Sequence, residues 1–186
     1  MRVLGALLLA ASVLGGRACG ARDRARAPEP TDHDAAVQRA ALLTLFATRE
    51  HAQRMVFWSD PVHESPTLGL LRAAGVPQVA AAPDTAALAL PMPVHLETLA
   101  SLESHFQRHP DGWEAWFRRF PGSSGLVALT RPIWLPAAAD GSARALLVVG
   151  RTCGEHCHSA WRITLARPVG AAWRTVSVVP IGLPRD

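Results

Sequence analysis

The hydrophobic and polar positions of this chain change their period near Leu126. Before that point apolar residues recur at helical spacing, and after it they alternate or run together as strands do. Val37, Ala41, Leu45 and Thr48 form a stripe that predicts a helix over 34–53, with Thr31 or Asp32 as its cap and Asp32 and Asp34 suited to its positive end. The run 55–58 stops at Ser59, Asp60 and Pro61 and predicts a short strand entering a turn. A weak helix is expected over 67–74, 76–90 shows no sustained period, and 91–96 suits a short strand. Leu99, Leu102, Glu103 and Phe106 place a helix over 97–107, broken at His109, Pro110, Asp111 and Gly112. Asp111 is the expected cap of a second short helix, in which Trp113, Trp116, Phe117 and Phe120 share one face before Pro121 and Gly122 end it.

Four runs rich in valine, isoleucine, tryptophan and threonine follow, at 126–134, 143–152, 160–167 and 172–179. Their joints are short: Ala139-Asp140-Gly141-Ser142, the loop between Cys153 and Cys157, and Pro168-Val169-Gly170. Joints of that length allow antiparallel hairpins and exclude parallel crossovers. The expected fold is therefore α+β, with N-terminal helices packed on a C-terminal four-stranded antiparallel meander, in one domain over 31–186.

The N-terminus changes the picture by assigning a compartment. Arg2 opens 1–21 with positive charge, 3–14 is an apolar run of about a dozen residues, and Gly15, Gly16, Ala18 and Ala21 are the small residues of a cleavage region. This is the anatomy of a secretory signal, and the run is shorter than the roughly 20 residues of a spanning helix. The stretch 22–30, charged and closed by Pro28 and Pro30, reads as a flexible tether. Cys19 is either removed with the signal or is a lipidation site, the one expected route to the membrane; Ala18 suits the position before a lipidated cysteine, whereas Arg17 and Gly16 do not fit that pattern.

All nineteen basic residues are arginine, and lysine, asparagine and tyrosine are missing, so the high pI reflects composition as much as charge. The net charge of +4 falls to +2 once Arg2 and Arg17 leave, too little for a nucleic-acid footprint. In an oxidising compartment, Cys153 and Cys157, which enclose only Gly-Glu-His, are expected to pair as a disulfide across the hairpin loop. Two alternatives use the same residues: a metal site of Cys153, His156, Cys157 and His158, whose adjacent ligands have poor spacing, and a cycling redox pair.

Trp113, Phe117, Phe120 and Pro121 with Gly122-Ser123-Ser124-Gly125, then Thr130-Arg131 and 145–150, then Cys153-Gly154-Glu155-His156-Cys157 with Leu165 and Trp173, make three linked blocks. In these blocks the chain resembles an uncharacterised family of bacterial exported proteins and lipoproteins. The N-terminal half fits through 55–59 and 93–99. The family pattern has glycines after the second cysteine where this chain has His158 and Ala160. The resemblance implies an exported α+β domain and adds no catalytic residue.

The remaining chemistry is sparse. Gly122-Ser123-Ser124-Gly125 is not a nucleophile elbow, since it lies between a helix and a strand, and a turn is expected there. His51, His63, His95, His105 and His109 have no nucleophile or acid at telling spacing, and His105 and His109 are expected on the solvated surface. The tryptophans are expected in the core, with Trp58 the one showing an edge. No catalytic, cofactor or metal residue is assigned. The expectation is an exported, non-catalytic binding or assembly module of the bacterial envelope, periplasmic, outer-membrane or secreted, with an envelope protein or a glycan as partner. A small hydrolase or a thiol-redox protein is the alternative, and it requires Ser123 or Cys153 to meet a histidine and a carboxylate.

Overall fold

The computed structural model describes residues 32–47, 53–59 and 83–182. The expected signal segment with Cys19, the expected tether and the expected helix at 67–74 lie outside the described residues. Among the described residues are four helices, α1 (Asp32–Phe46), α2 (Thr85–Leu88), α3 (Leu99–Arg108) and α4 (Trp113–Arg119). Seven strands accompany them: β1 (Arg54–Trp58), β2 (Val94–Glu97), β3 (Ser123–Leu129), β4 (Ile133–Leu135), β5 (Ala143–Gly154), β6 (Cys157–Arg167) and β7 (Arg174–Ile181). None of the described helices is long and apolar enough to cross a membrane.

The strands form one mixed sheet in the order β2-β1-β3-β5-β6-β7, with β4 also paired to β5. This corrects the expected four-stranded antiparallel meander. β1 runs parallel to both β2 and β3, whereas the pairs β3–β5, β4–β5, β5–β6 and β6–β7 are antiparallel. Alternation in a sequence identifies a strand but not its neighbour, and a parallel neighbour reached by a long crossover leaves no hairpin signal. The short runs that became β1 and β2 therefore carry no sign that they extend the sheet.

Helices cover both faces of this sheet. Met55 and Phe57 of β1 face the cluster built by Val37, Ala41, Leu42 and Phe46 of α1, with Leu88 of α2 in the same cluster. Val56, between them, faces the opposite way, into a cluster with Leu102 of α3, Trp116 of α4, Phe120 and Leu126. On the α1 face Val127 and Leu129, then Ala145, Leu147 and Val149, then Ile163 and Leu165 continue the layer strand by strand. Alternate residues along a strand point to opposite faces, so each strand places its odd-numbered apolar side chains here.

Local chemistry sets several boundaries. Thr98 caps α3 by accepting from the Ser101 N–H at 3.1 Å, and Asp84 caps α2 by accepting from Ala86 and Ala87. Asp111 does not cap α4 as expected; Gly112 holds the cap position, and the Asp111 carboxylate pairs with Arg118. That ion pair holds the Asp111 carboxyl below its ordinary value. The run 126–134, expected as one strand, is split between β3 and β4. Pro132 has no N–H for a ladder, and Thr130 turns its hydroxyl to accept from the Val148 N–H at 2.9 Å while its own N–H donates to Val148 O at 3.0 Å. At this break Arg131 donates to the Asp34 carboxylate at 3.0 Å and Gln38 Nε2 donates to Thr130 O at 3.3 Å. Asp34 thus fastens α1 to the sheet.

β7 is an edge strand with Val176, Val178 and Val179 exposed. Its register against β6 shifts between Thr164 and Leu165, which leaves Val176 without an opposite residue, and Pro180 lies near its end. A bulge and a proline are ordinary protections of a sheet edge against unwanted pairing.

Candidate functional site

The cysteine hairpin comes first, because the sequence concentrates its reactive residues there. β5 and β6 stay paired from Ala143 opposite Arg167 to Gly154 opposite Cys157. Cys153 and Cys157 are joined by a disulfide, with Cα atoms 5.0 Å apart. Joined in this way, neither sulfur is a thiolate available to a metal or a substrate. His158 folds back on the loop, with Nε2 2.7 Å from Glu155 O and Nδ1 3.3 Å from Thr152 Oγ1. Among the described residues no group of three or more His, Cys, Asp or Glu is arranged to hold a metal. Gly125 of β3 lies beneath the loop at φ +106°, and a Cβ there would stand 2.2 Å from Thr152 O. Only glycine lets β3 pass so close.

The serines after α4 are not assembled into a nucleophilic site. Ser123 and Ser124 open β3, and their buried hydroxyls bond to no partner, so no base is hydrogen-bonded to either. Of the candidate histidines, His51 and His63 lie outside the described residues. His95 is exposed and lies against the Phe120 ring at 5.5 Å.

His105 corrects the expectation of a solvated surface, since it is only 3% exposed and its Nε2 has no hydrogen-bond partner. The rings of Phe106, Trp116 and His109 surround it at centroid distances of 5.2, 5.8 and 4.7 Å. Burial lowers its pKa from 6.5, and the charges of His109 and Arg119 lower it further. Beside this ring, Glu97 accepts from Arg119 at 2.8 Å and from Ser101 Oγ at 2.5 Å. This polar cluster went unrecognised in the sequence, although Glu97, Ser101 and His105 recur every fourth residue. That spacing was the available signal.

The exposed aromatic group lies elsewhere. Trp58, expected to show an edge, is half-buried: it packs against the aromatic cluster with its Nε1 buried while part of the ring meets solvent. Trp134, expected in the core, is 47% exposed, which makes it the tryptophan that meets solvent on a broad face. It pairs with Ala145, which pairs with Leu165, which pairs with Thr175, so it stands on the α1 face of the sheet. Thr44 of α1 bonds Thr175 at 2.7 Å on the same rung. Trp173 packs on the edge of the aliphatic core, and its ring lies 5.7 Å from that of Trp134 at 56°. The Arg167 guanidinium lies 5.2 Å over the Trp173 ring. Ala145 helps explain why two large rings meet at this point, since its methyl leaves the rung low. Trp134, Trp173 and Arg167 together form an aromatic shelf with one cation at its side.

Comparison of the chain with family profiles, with characterised proteins and with solved structures finds no match in any of the three.

Proposed function

We propose that this chain is an exported, non-catalytic binding module of the bacterial envelope that engages its partner through the shelf of Trp134, Trp173 and Arg167. The single observation that carries the binding part is the large exposed face of Trp134 braced by a second indole. Exposed aromatic faces of this kind are costly to leave in water and are enriched where proteins meet ligands. The exported part draws support from the disulfide, which persists in oxidising compartments, from the signal-like start and from the resemblance to exported bacterial proteins.

A photo-reactive amino acid at position 134, activated in intact cells, tests the binding part. Capture of a defined glycan or protein at 134, and not from a control position at His156, is the expected result, and no capture at 134 overturns the reading. Export is checked separately by alkylating the intact protein from its native compartment. Two further alkyl groups should be gained only after reduction, and thiols that react without reductant contradict the exported reading.

A further inference from the structure

Building on this binding-module reading, we infer that the shelf is a seat for an acidic saccharide, a chain of pyranose rings bearing carboxylates. Three observations select this class. Trp134 is 47% exposed. A pyranose suits such a surface, because one flat C–H face stacks on the indole while its hydroxyls remain in water. An apolar peptide anchor instead needs a pocket that dries it on every side.

The second observation is the angle between the rings. At 56° Trp134 and Trp173 do not stack on one another, so the half-buried Trp173 backs Trp134 without covering its ring face to face. The third is Arg167. Held over Trp173, its planar guanidinium keeps in-plane donors for a carboxylate, which it matches in a bidentate manner. Among the described residues no carboxylate pairs with Arg167. Asp140, the acid in the turn at this end of the sheet, is occupied by the Ser142 N–H at 2.9 Å.

The test titrates the folded mature chain with tetragalacturonate, tetramannuronate and a hyaluronan tetrasaccharide, each beside its methyl ester, following tryptophan fluorescence. At least one acid should bind, and its ester should bind more weakly. Trp134→Ala should weaken binding about tenfold, the scale of one lost stacking contact. Arg167→Gln should weaken binding of the acid more than that of its ester and so remove the preference for the acid. Circular dichroism confirms folding, and Trp134→Phe, with a smaller loss, replaces Trp134→Ala if that variant does not fold.

Equal binding of acid and ester by the unaltered chain, binding indifferent to both substitutions, or no binding of any acid overturns the inference. The cross-linking at position 134 separates the two levels. A protein captured there, with no saccharide bound in titration, overturns the saccharide and keeps the binding module. Failure of both removes both.

Discussion

The two faces of the sheet are packed on different principles. The α1 face is aliphatic: Val37, Leu42, Leu147, Val149, Ile163 and Leu165 interlock with Met55 and Phe57, and the buried members of this cluster are all apolar. The α3–α4 face is aromatic, with Trp116 at its centre and the rings of Phe106, Trp113 and Phe120 between 4.7 and 6.2 Å away. It also buries polar atoms without partners, the Nε1 of Trp58 and Trp116 and the Nε2 of His105. An unsatisfied buried donor or acceptor costs about 1–3 kcal/mol. The α1 face therefore holds the fold by aliphatic shape together with the Asp34–Arg131 pair and leaves one indole donor, Trp173 Nε1, unpartnered, whereas the aromatic face gains area while giving up more of that gain to desolvation. It is also the face whose stability responds to pH.

The strongest way to break this comparison is at Trp116, which is fully buried. Trp116→Ala should cost about 4 kcal/mol in urea unfolding, the usual scale for removing a buried aromatic side chain. Trp116→Phe should cost under about 1.5 kcal/mol, because the unpartnered N–H is removed with the larger ring. An equal cost for the two variants would mean that the indole N–H is satisfied. On the other face Leu147→Ala should cost about 3 kcal/mol.

Asp34→Ala should cost about 3 kcal/mol, since it leaves the largely buried Arg131 without its carboxylate at the point where α1 meets the strand break. A double-mutant cycle with Arg131→Ala should return a favourable coupling, and simple additivity would show that the pair does not fasten the helix. Replacing Cys153 and Cys157 together by alanine should cost about 2 kcal/mol, because a five-residue loop restricts the unfolded chain only modestly. Complete unfolding of that variant would contradict the reading of the disulfide as a local clamp.

The smallest effect concerns pH. His105 has a folded pKa below its ordinary 6.5, so on acidification the unfolded chain takes up this proton first. Stability contributed by this group should be complete above pH 6.5, decline as pH falls below it, and level off once the folded chain also protonates His105. Unfolding curves of the parent chain and of His105→Leu, recorded from pH 8 to pH 5, should differ in slope only below about 6.5. Parallel curves would show that the buried imidazole does not carry the dependence.

Much of the local structure was legible because it is written in short-range spacing. Trp113, Trp116, Phe117 and Phe120 at i, i+3, i+4 and i+7 all join the aromatic cluster of the α4 face. The runs at 143–152 and 160–167 make up most of β5 and β6, and the pairing of Cys153 with Cys157 follows from how few residues separate them. The split of 126–134 at Thr130 and Pro132 was less legible. It depends on a hydroxyl reaching Val148, eighteen residues away.

Exposure was the least legible property. Trp58 and Trp134 each stand in an apolar run, and nothing local distinguishes them. Trp58 is half-buried against the aromatic residues brought over β1 by α3 and α4, as its expected edge requires, whereas Trp134 lies on the short strand β4 with 47% of its surface exposed. His105 was misplaced for the same reason. Its neighbour His109 and the Pro110 break suggest a surface, but α4 folds back and lays Trp116 against it.

The sequence by itself determined most of the longer helices and strands, where the hairpin is clamped and which residues form the aromatic stripe, because these depend on contacts between residues a few positions apart. Tertiary structure alone decided that β1 and β2 join the sheet in parallel, that helices cover both faces, and that Trp134 and Trp173 meet beside Arg167. Each of these is a juxtaposition of segments distant along the chain, and the period of a single strand or helix carries no record of which distant segment will lie beside it.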